Sequence, residues 1–109
     1  MKDCIFCKIR EGKISKIFIY QDEDVMVFPD INPVKPVHLL IIPRKHIKDF
    51  LDLDNANLEN KLKNVIKKMI KENNLENKGY RIGLNGGGAQ AINHLHIHLM
   101  GPMGKKAAL

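Results

Sequence analysis

The sequence predicts an α+β fold, an antiparallel meander sheet of about five strands with one long helix laid on it. Three observations carry this. Short β-branched and aromatic runs, separated by turn residues, fill residues 17–43. One amphipathic stripe follows, and two further short runs close the chain. At 109 residues the chain is a single domain, 1–109, because two domains would each be too small to bury a core.

Residues 17–21 and 25–29 flank Asp22-Glu23-Asp24 and read as a hairpin. Asp30-Ile31-Asn32-Pro33 is turn chemistry. Residues 37–43 form a third strand, apolar enough to sit centrally and closed by Pro43. Leu58, Leu62, Val65, Ile66, Met69 and Ile70 recur at helical spacing, with lysines on the opposite side. Asp54 or Asn55 caps this helix, and Asn73-Asn74 starts its exit. Residues 80–84 form a fourth strand, broken by Gly86-Gly87-Gly88, and residues 94–100 form a fifth.

Composition excludes several classes. Hydrophobic residues make up 44% and charged residues 28%, the balance of a globular protein. The longest apolar run, Leu39 to Ile42, is far short of the ~20 residues that span a bilayer. The first residues have no signal-peptide pattern, so a cytoplasmic protein without membrane partners is the expectation. The net charge of +6 admits an anionic partner. Its densest group, Lys61, Lys63, Lys67, Lys68 and Lys71, lies among glutamates and lacks interleaved aromatics, which suits a solvated helix face better than nucleic-acid binding.

His94-Leu95-His96-Ile97-His98-Leu99 is the sharpest feature. On a strand the three imidazoles share one face, with Leu95, Ile97 and Leu99 on the other. Such a row suits metal binding or nucleophilic and acid–base chemistry. Upstream, Gly86-Gly87-Gly88 allows backbone N–H groups to approach an anion, although a tight turn explains it equally well. Together the two features suggest phosphate held beside an imidazole nucleophile. Asp30, after an apolar strand, could accept ribose hydroxyls or close an Asx turn. Both cysteines, Cys4 and Cys7, fall in one Cys-x-x-Cys: a redox pair, half of a zinc site, or two small core residues.

Taken together these segments resemble the histidine triad (HIT) proteins, in particular the HINT-like branch of purine nucleoside phosphoramidases. The resemblance runs from Asp3 to Ile9, through Phe28 to Pro33 and His38 to His46, to Asn85, Gly88, Gln90 and His94 to His98. It implies a HIT-like fold with an added short helix, and a homodimer whose sheets join into one. It implies that His96 attacks the α-phosphorus of a nucleotide, forming a nucleotidyl-histidine that water hydrolyses to AMP or GMP. His98 would hold phosphate oxygens, and His94 would stand behind the nucleophile, linked to His38. Asp30 would bind ribose. Ile5, Phe6, Ile9, Ile14, Phe28 and Ile31 match the apolar slot around the purine, and Asn85, Gly88 and Gln90 would contact phosphate or ribose. Cys4, Cys7, His46 and His94 match a closed structural zinc set, with no metal needed in the chemical step.

The chain departs from the pattern in places. Ala91 replaces a serine that contacts phosphate or leaving group in relatives, and Asn93 stands where many carry an aromatic. The loop 86–89 is shorter, and the tail 101–109 lacks a Trp-Pro-Pro ending. The alternative functions are a dinucleoside-polyphosphate hydrolase or nucleotidyl transferase of the same superfamily, and a zinc-stapled nucleotide-binding module with little activity.

Overall fold

The computed structural model describes residues 3–109. Helix α1 spans Ile5–Arg10, strand β1 Tyr20–Gln21, β2 Val25–Pro29 and β3 Val37–Pro43. A 3-10 turn at Phe50–Asp52 leads into α2, Ala56–Glu72, followed by β4 at Arg81–Gly83 and β5 at Ile97–Gly101. The sheet is antiparallel throughout, in the order β1-β2-β3-β5-β4. The first three strands run as a meander. The last hairpin then enters with β5 beside β3, which leaves β4 on the edge.

Three expected strands are shorter than their sequence runs, and the fourth keeps only Arg81–Gly83 of residues 80–84. The first pairs only at Tyr20 and Gln21, although the Ile19 N–H still donates to the Val27 carbonyl at 2.8 Å. The fifth starts at Ile97 rather than His94. Its last partner on β3 is Ile41, and two residues further on Pro43 has no N–H to extend the ladder.

Both faces of β2 and β3 are buried, which is why these strands read as continuous apolar runs. Val25, Val27, Leu39 and Ile41 pack with Ile97 and Leu99 against Leu62, Val65, Met69 and Ile70 of α2. Met26, Phe28, Leu40 and Ile42 face the other way and pack with Cys4, Phe6, Cys7 and Ile9 of the α1 segment. Strand alternation makes this division. It also sends His98 to the α1 side, because its neighbours Ile97 and Leu99 belong to the α2 side. Met69 is fully buried, and truncating such a side chain costs about 2–5 kcal/mol.

Local chemistry sets the ends of the elements. The Asn55 side chain accepts from the Leu58 N–H at 3.0 Å and starts α2. Asn74 leaves the helix at φ 58°, a conformation asparagine tolerates. At the start of α1 the Cys4 sulfur accepts from the Cys7 N–H at 3.3 Å.

Asp22 ties the first hairpin to α2. It accepts from the Asp24 and Val25 N–H groups at 2.8 and 2.9 Å and from the Tyr20 hydroxyl at 2.6 Å, and it pairs with Lys61 at 3.3 Å. Burial alone would raise its pKa, but these donors outweigh it and hold the carboxyl at about 2, below its ordinary 3.8. A carboxyl with a depressed folded pKa stabilises above its unfolded value and loses that contribution as pH falls through the folded one. Asp22→Ala is therefore expected to lower stability by about 1–2 kcal/mol at neutral pH. Urea unfolding of both proteins should show this deficit shrinking between pH 3.8 and about 2.

Candidate active site and metal centre

The three histidines occupy the junction between β5 and the α1 segment. His94 and His96 are buried, 0% and 8% exposed, and His98 is partly exposed. The His96 and His98 ring centroids lie 5.2 Å apart. Phe6 packs edge-on against His94 at 5.7 Å and His96 at 5.2 Å. Ile97 and Leu99 join the core on the α2 side, so the alternation holds within the strand, of which only His98 of the three is part.

Hydrogen bonds assign the tautomers. The His96 Nδ1 lies 2.8 Å from the His94 carbonyl, which can only accept. Nδ1 therefore carries the proton, and Nε2 of the neutral ring holds a free lone pair. The Val34 N–H donates to His38 Nδ1 at 3.1 Å, so neutral His38 carries its proton on Nε2. That atom lies 2.9 Å from His98 Nδ1 and 3.4 Å from an Asp30 carboxylate oxygen. His98 Nδ1 thus accepts, and neutral His98 bears its proton on Nε2. Burial lowers the His98 pKa, the His96 and His38 charges act the same way, and Asp30 opposes them. One expectation is corrected here. His38 links to His98, not to His94, because β3 and β5 place Leu40 opposite His98 and His38 opposite Met100. His94 meets the His96 ring through its backbone carbonyl instead.

The His94 imidazole serves a second cluster. Its Nε2 donates to the Pro43 carbonyl at 2.8 Å, which leaves Nδ1 as an acceptor facing Cys4 Sγ at 3.2 Å and Cys7 Sγ at 3.6 Å. His46 Nδ1 lies 3.3 Å from Cys7 Sγ. The four candidate ligand atoms all lie within 4.8 Å of one another. Tetrahedral zinc, with bonds of about 2.3 Å to sulfur and 2.0–2.1 Å to nitrogen, separates S and N ligands by about 3.5 Å. The set fits such an ion, and the carbonyl behind His94 is the usual outer partner of a metal-bound histidine. Burial lowers the pKa of His94 to about 4 and also lowers that of His46, so both rings stay neutral at pH 7. Burial and the neighbouring Cys4 raise the Cys7 thiol. A recess of about 570 Å³ lies over this cluster, lined in part by Cys4, His46, Lys48, Ala91 and Asn93.

Asp30, His38 and His98 also cluster at ligand distance. The tautomer assignment argues against a cation there. With Val34 donating to His38 Nδ1, a metal on Nε2 would require an imidazolate.

The glycine loop differs from its expectation. The Gly87 N–H donates to Asp49 at 3.0 Å, the Gly88 N–H to the Gln90 side chain at 2.9 Å, and the Ala89 N–H to the Gly86 carbonyl at 3.1 Å. These donors close a turn rather than cradle an anion. Gly87 and Gly88 sit at φ 64° and 95°, so glycine is needed for the turn itself. Gln90 is buried and spends its amide on Gly88 and on the Lys48 carbonyl. Asn85 is exposed, and its side chain makes no hydrogen bond among the described residues.

Of the apolar positions, Phe6, Ile9 and Phe28 are buried together, and Ile14 packs against their cluster. Ile5 and Ile31 are 45% and 79% exposed and stand outside it. Asp30 uses one carboxylate oxygen on the Asn32 N–H at 2.8 Å and turns the other to His38 and His98. Sequence reasoning missed Val34, Pro43 and Asp49. The first two act through backbone groups, which no side-chain motif reveals. It also missed the clasp between α1 and β3, in which Arg10 donates to the Arg44 carbonyl at 2.7 Å.

Comparison with known proteins agrees with this geometry. Residues 3–108 match the family model described as scavenger mRNA decapping enzyme C-term binding. A 14 kDa zinc-binding protein of Zea mays is 40% identical over 105 residues, covering 89% of this chain and 80% of that one. The solved structure of a HIT family hydrolase from Legionella pneumophila superposes with a TM-score of 0.85 at 38% identity, covering 91% and 92% of the two chains. A histidine triad nucleotide-binding protein from Candida albicans gives a TM-score of 0.81 at 30% identity, covering 89% and 73%. The five-stranded sheet with its long and short helices is thus a shared fold, and the chain belongs to the histidine triad family.

Proposed function

We propose that the protein is a HIT hydrolase that binds purine nucleotides and cleaves the P–N bond of nucleoside phosphoramidates through a nucleotidyl-His96 intermediate. The observation that carries this reading is the free Nε2 lone pair of His96, held by the bond from Nδ1 to the His94 carbonyl. The relatives named a hydrolase and a nucleotide-binding protein support the class.

In this reading His96 Nε2 attacks the α-phosphorus, the P–N bond breaks, and the leaving nitrogen departs as an amine after taking up one proton. Water then cleaves the histidine–phosphorus bond, releasing the nucleoside monophosphate and restoring the ring. His98 offers its Nε2–H to a phosphoryl oxygen, an orientation set by His38. Donors placed where charge gathers are the main catalytic resource in phosphoryl transfer. Asp30 sits beside His98 and reaches the ribose hydroxyls. Phe6, Ile9, Ile14 and Phe28 flank the base. Ala91, with the internally bonded glycine loop, favours a second reading, a nucleotide-binding module with little turnover.

The decisive experiment is hydrolysis of adenosine 5′-phosphoramidate by wild type and by His96→Ala, with AMP affinity measured in parallel. Turnover should vanish in the variant, a loss of at least about 10³-fold, while AMP affinity stays within a few-fold. Wild-type protein that binds AMP without turnover would favour the binding module.

Cys4, Cys7, His46 and His94 would hold structural zinc, which when bound clips α1 against the ends of β3 and β5. The purified protein is expected to contain about one equivalent of zinc. Titrating zinc into metal-free protein should release about two protons, those of the Cys4 and Cys7 thiols. Cys7→Ser should lose the metal and lower Tm.

A second copy of the chain would pair along β4. This strand lies at the sheet edge with Tyr80 and Ile82 46% and 45% exposed, beside an apolar recess of about 360 Å³. An unpaired apolar edge is a template for strand addition. Light scattering should give twice the 12.4 kDa chain mass, and Ile82→Asp should give the monomer.

A further inference from the structure

Lys16 stands at the proposed base slot, in a cation–π contact with Phe28. Its ammonium lies 5.2 Å from the centre of the Phe28 ring. Phe28 packs edge-on against Phe6 at 5.9 Å, and Phe6 against the His96 ring at 5.2 Å. An aromatic row thus runs from the ammonium to the proposed nucleophile. Phe28 is also two residues before Asp30, so the two side chains leave the chain on one side, about 7 Å apart along it. A base beside Phe28 and a ribose beside Asp30 are compatible with that spacing, and Lys16 would then flank the base. Lys16 forms no ion pair among the described residues. No carboxylate therefore competes with a ligand for its N–H donors.

We infer that Lys16 selects the base, donating to guanine O6 and N7 so that guanosine substrates are preferred over adenosine ones. Guanine presents two adjacent acceptors, which suit an ammonium. Adenine replaces O6 with an amino donor, which opposes it. The inference rests on the reading of the apolar slot as a purine site, and it adds the choice between purines.

The test compares guanosine and adenosine 5′-phosphoramidates by kcat/KM, and GMP and AMP by calorimetry, in wild type, Lys16→Met and Lys16→Arg. The expected result is a guanosine preference of about tenfold in wild type, worth roughly 1.4 kcal/mol. Lys16→Met should abolish the preference by weakening only the guanosine ligands, and Lys16→Arg should retain it. A ratio unchanged in Lys16→Met overturns the inference. So does a wild type that prefers adenosine. If neither phosphoramidate is turned over, the hydrolase reading fails, and the calorimetric GMP-to-AMP ratio still decides the role of Lys16. If neither nucleotide binds, the purine slot and the inference fall together.

Discussion

His94 is held at both ends of the residue. Its imidazole is buried between two cysteine sulfurs and the Pro43 carbonyl, and its own carbonyl holds the Nδ1 proton of His96. One backbone position therefore couples the cysteine–histidine cluster to the neighbouring ring. A displaced His94 would misplace an acceptor that fixes the tautomer of His96. Neutral imidazole has one lone pair, so the choice of tautomer decides whether Nε2 can act as a nucleophile at all.

The sheet makes this arrangement possible by being covered on two faces. α2 supplies the larger apolar layer and carries no site residue. The α1 segment covers the opposite face and supplies Cys4, Phe6 and Cys7. Six helical residues could not hold such a position by themselves. The segment is retained by buried Phe6 and Ile9, by the Arg10–Arg44 clasp and by contacts between its cysteines and the two histidines. Stability and site geometry on this face rest on the same side chains.

Much of the site was legible because its parts are side-chain chemistry at diagnostic spacing. The period-two histidines, the Cys-x-x-Cys and the apolar positions of α2 each announce a local arrangement. The four-member cysteine–histidine set came from family resemblance, and the structure brings those residues together. The roles of His38 and of the glycine loop were read less well. His38 pairs with His98 through strand register, and register depends on which strands become neighbours. The glycine loop looked open to anions because its competitors, Asp49 and Gln90, bond it through contacts that no spacing rule encodes.

By itself the sequence determined the element types, the central place of the apolar strand 37–43, and the identity of the imidazole and thiol groups. These follow from periodicity and residue chemistry, which act over a few positions. Only the tertiary structure decided that β5 lies beside β3, that the ladder stops at Ile97, and which atom of each histidine carries its proton. Those outcomes depend on backbone carbonyls and N–H groups far apart in the chain. Every residue but proline carries the same backbone groups, so only the fold can say which of them meet.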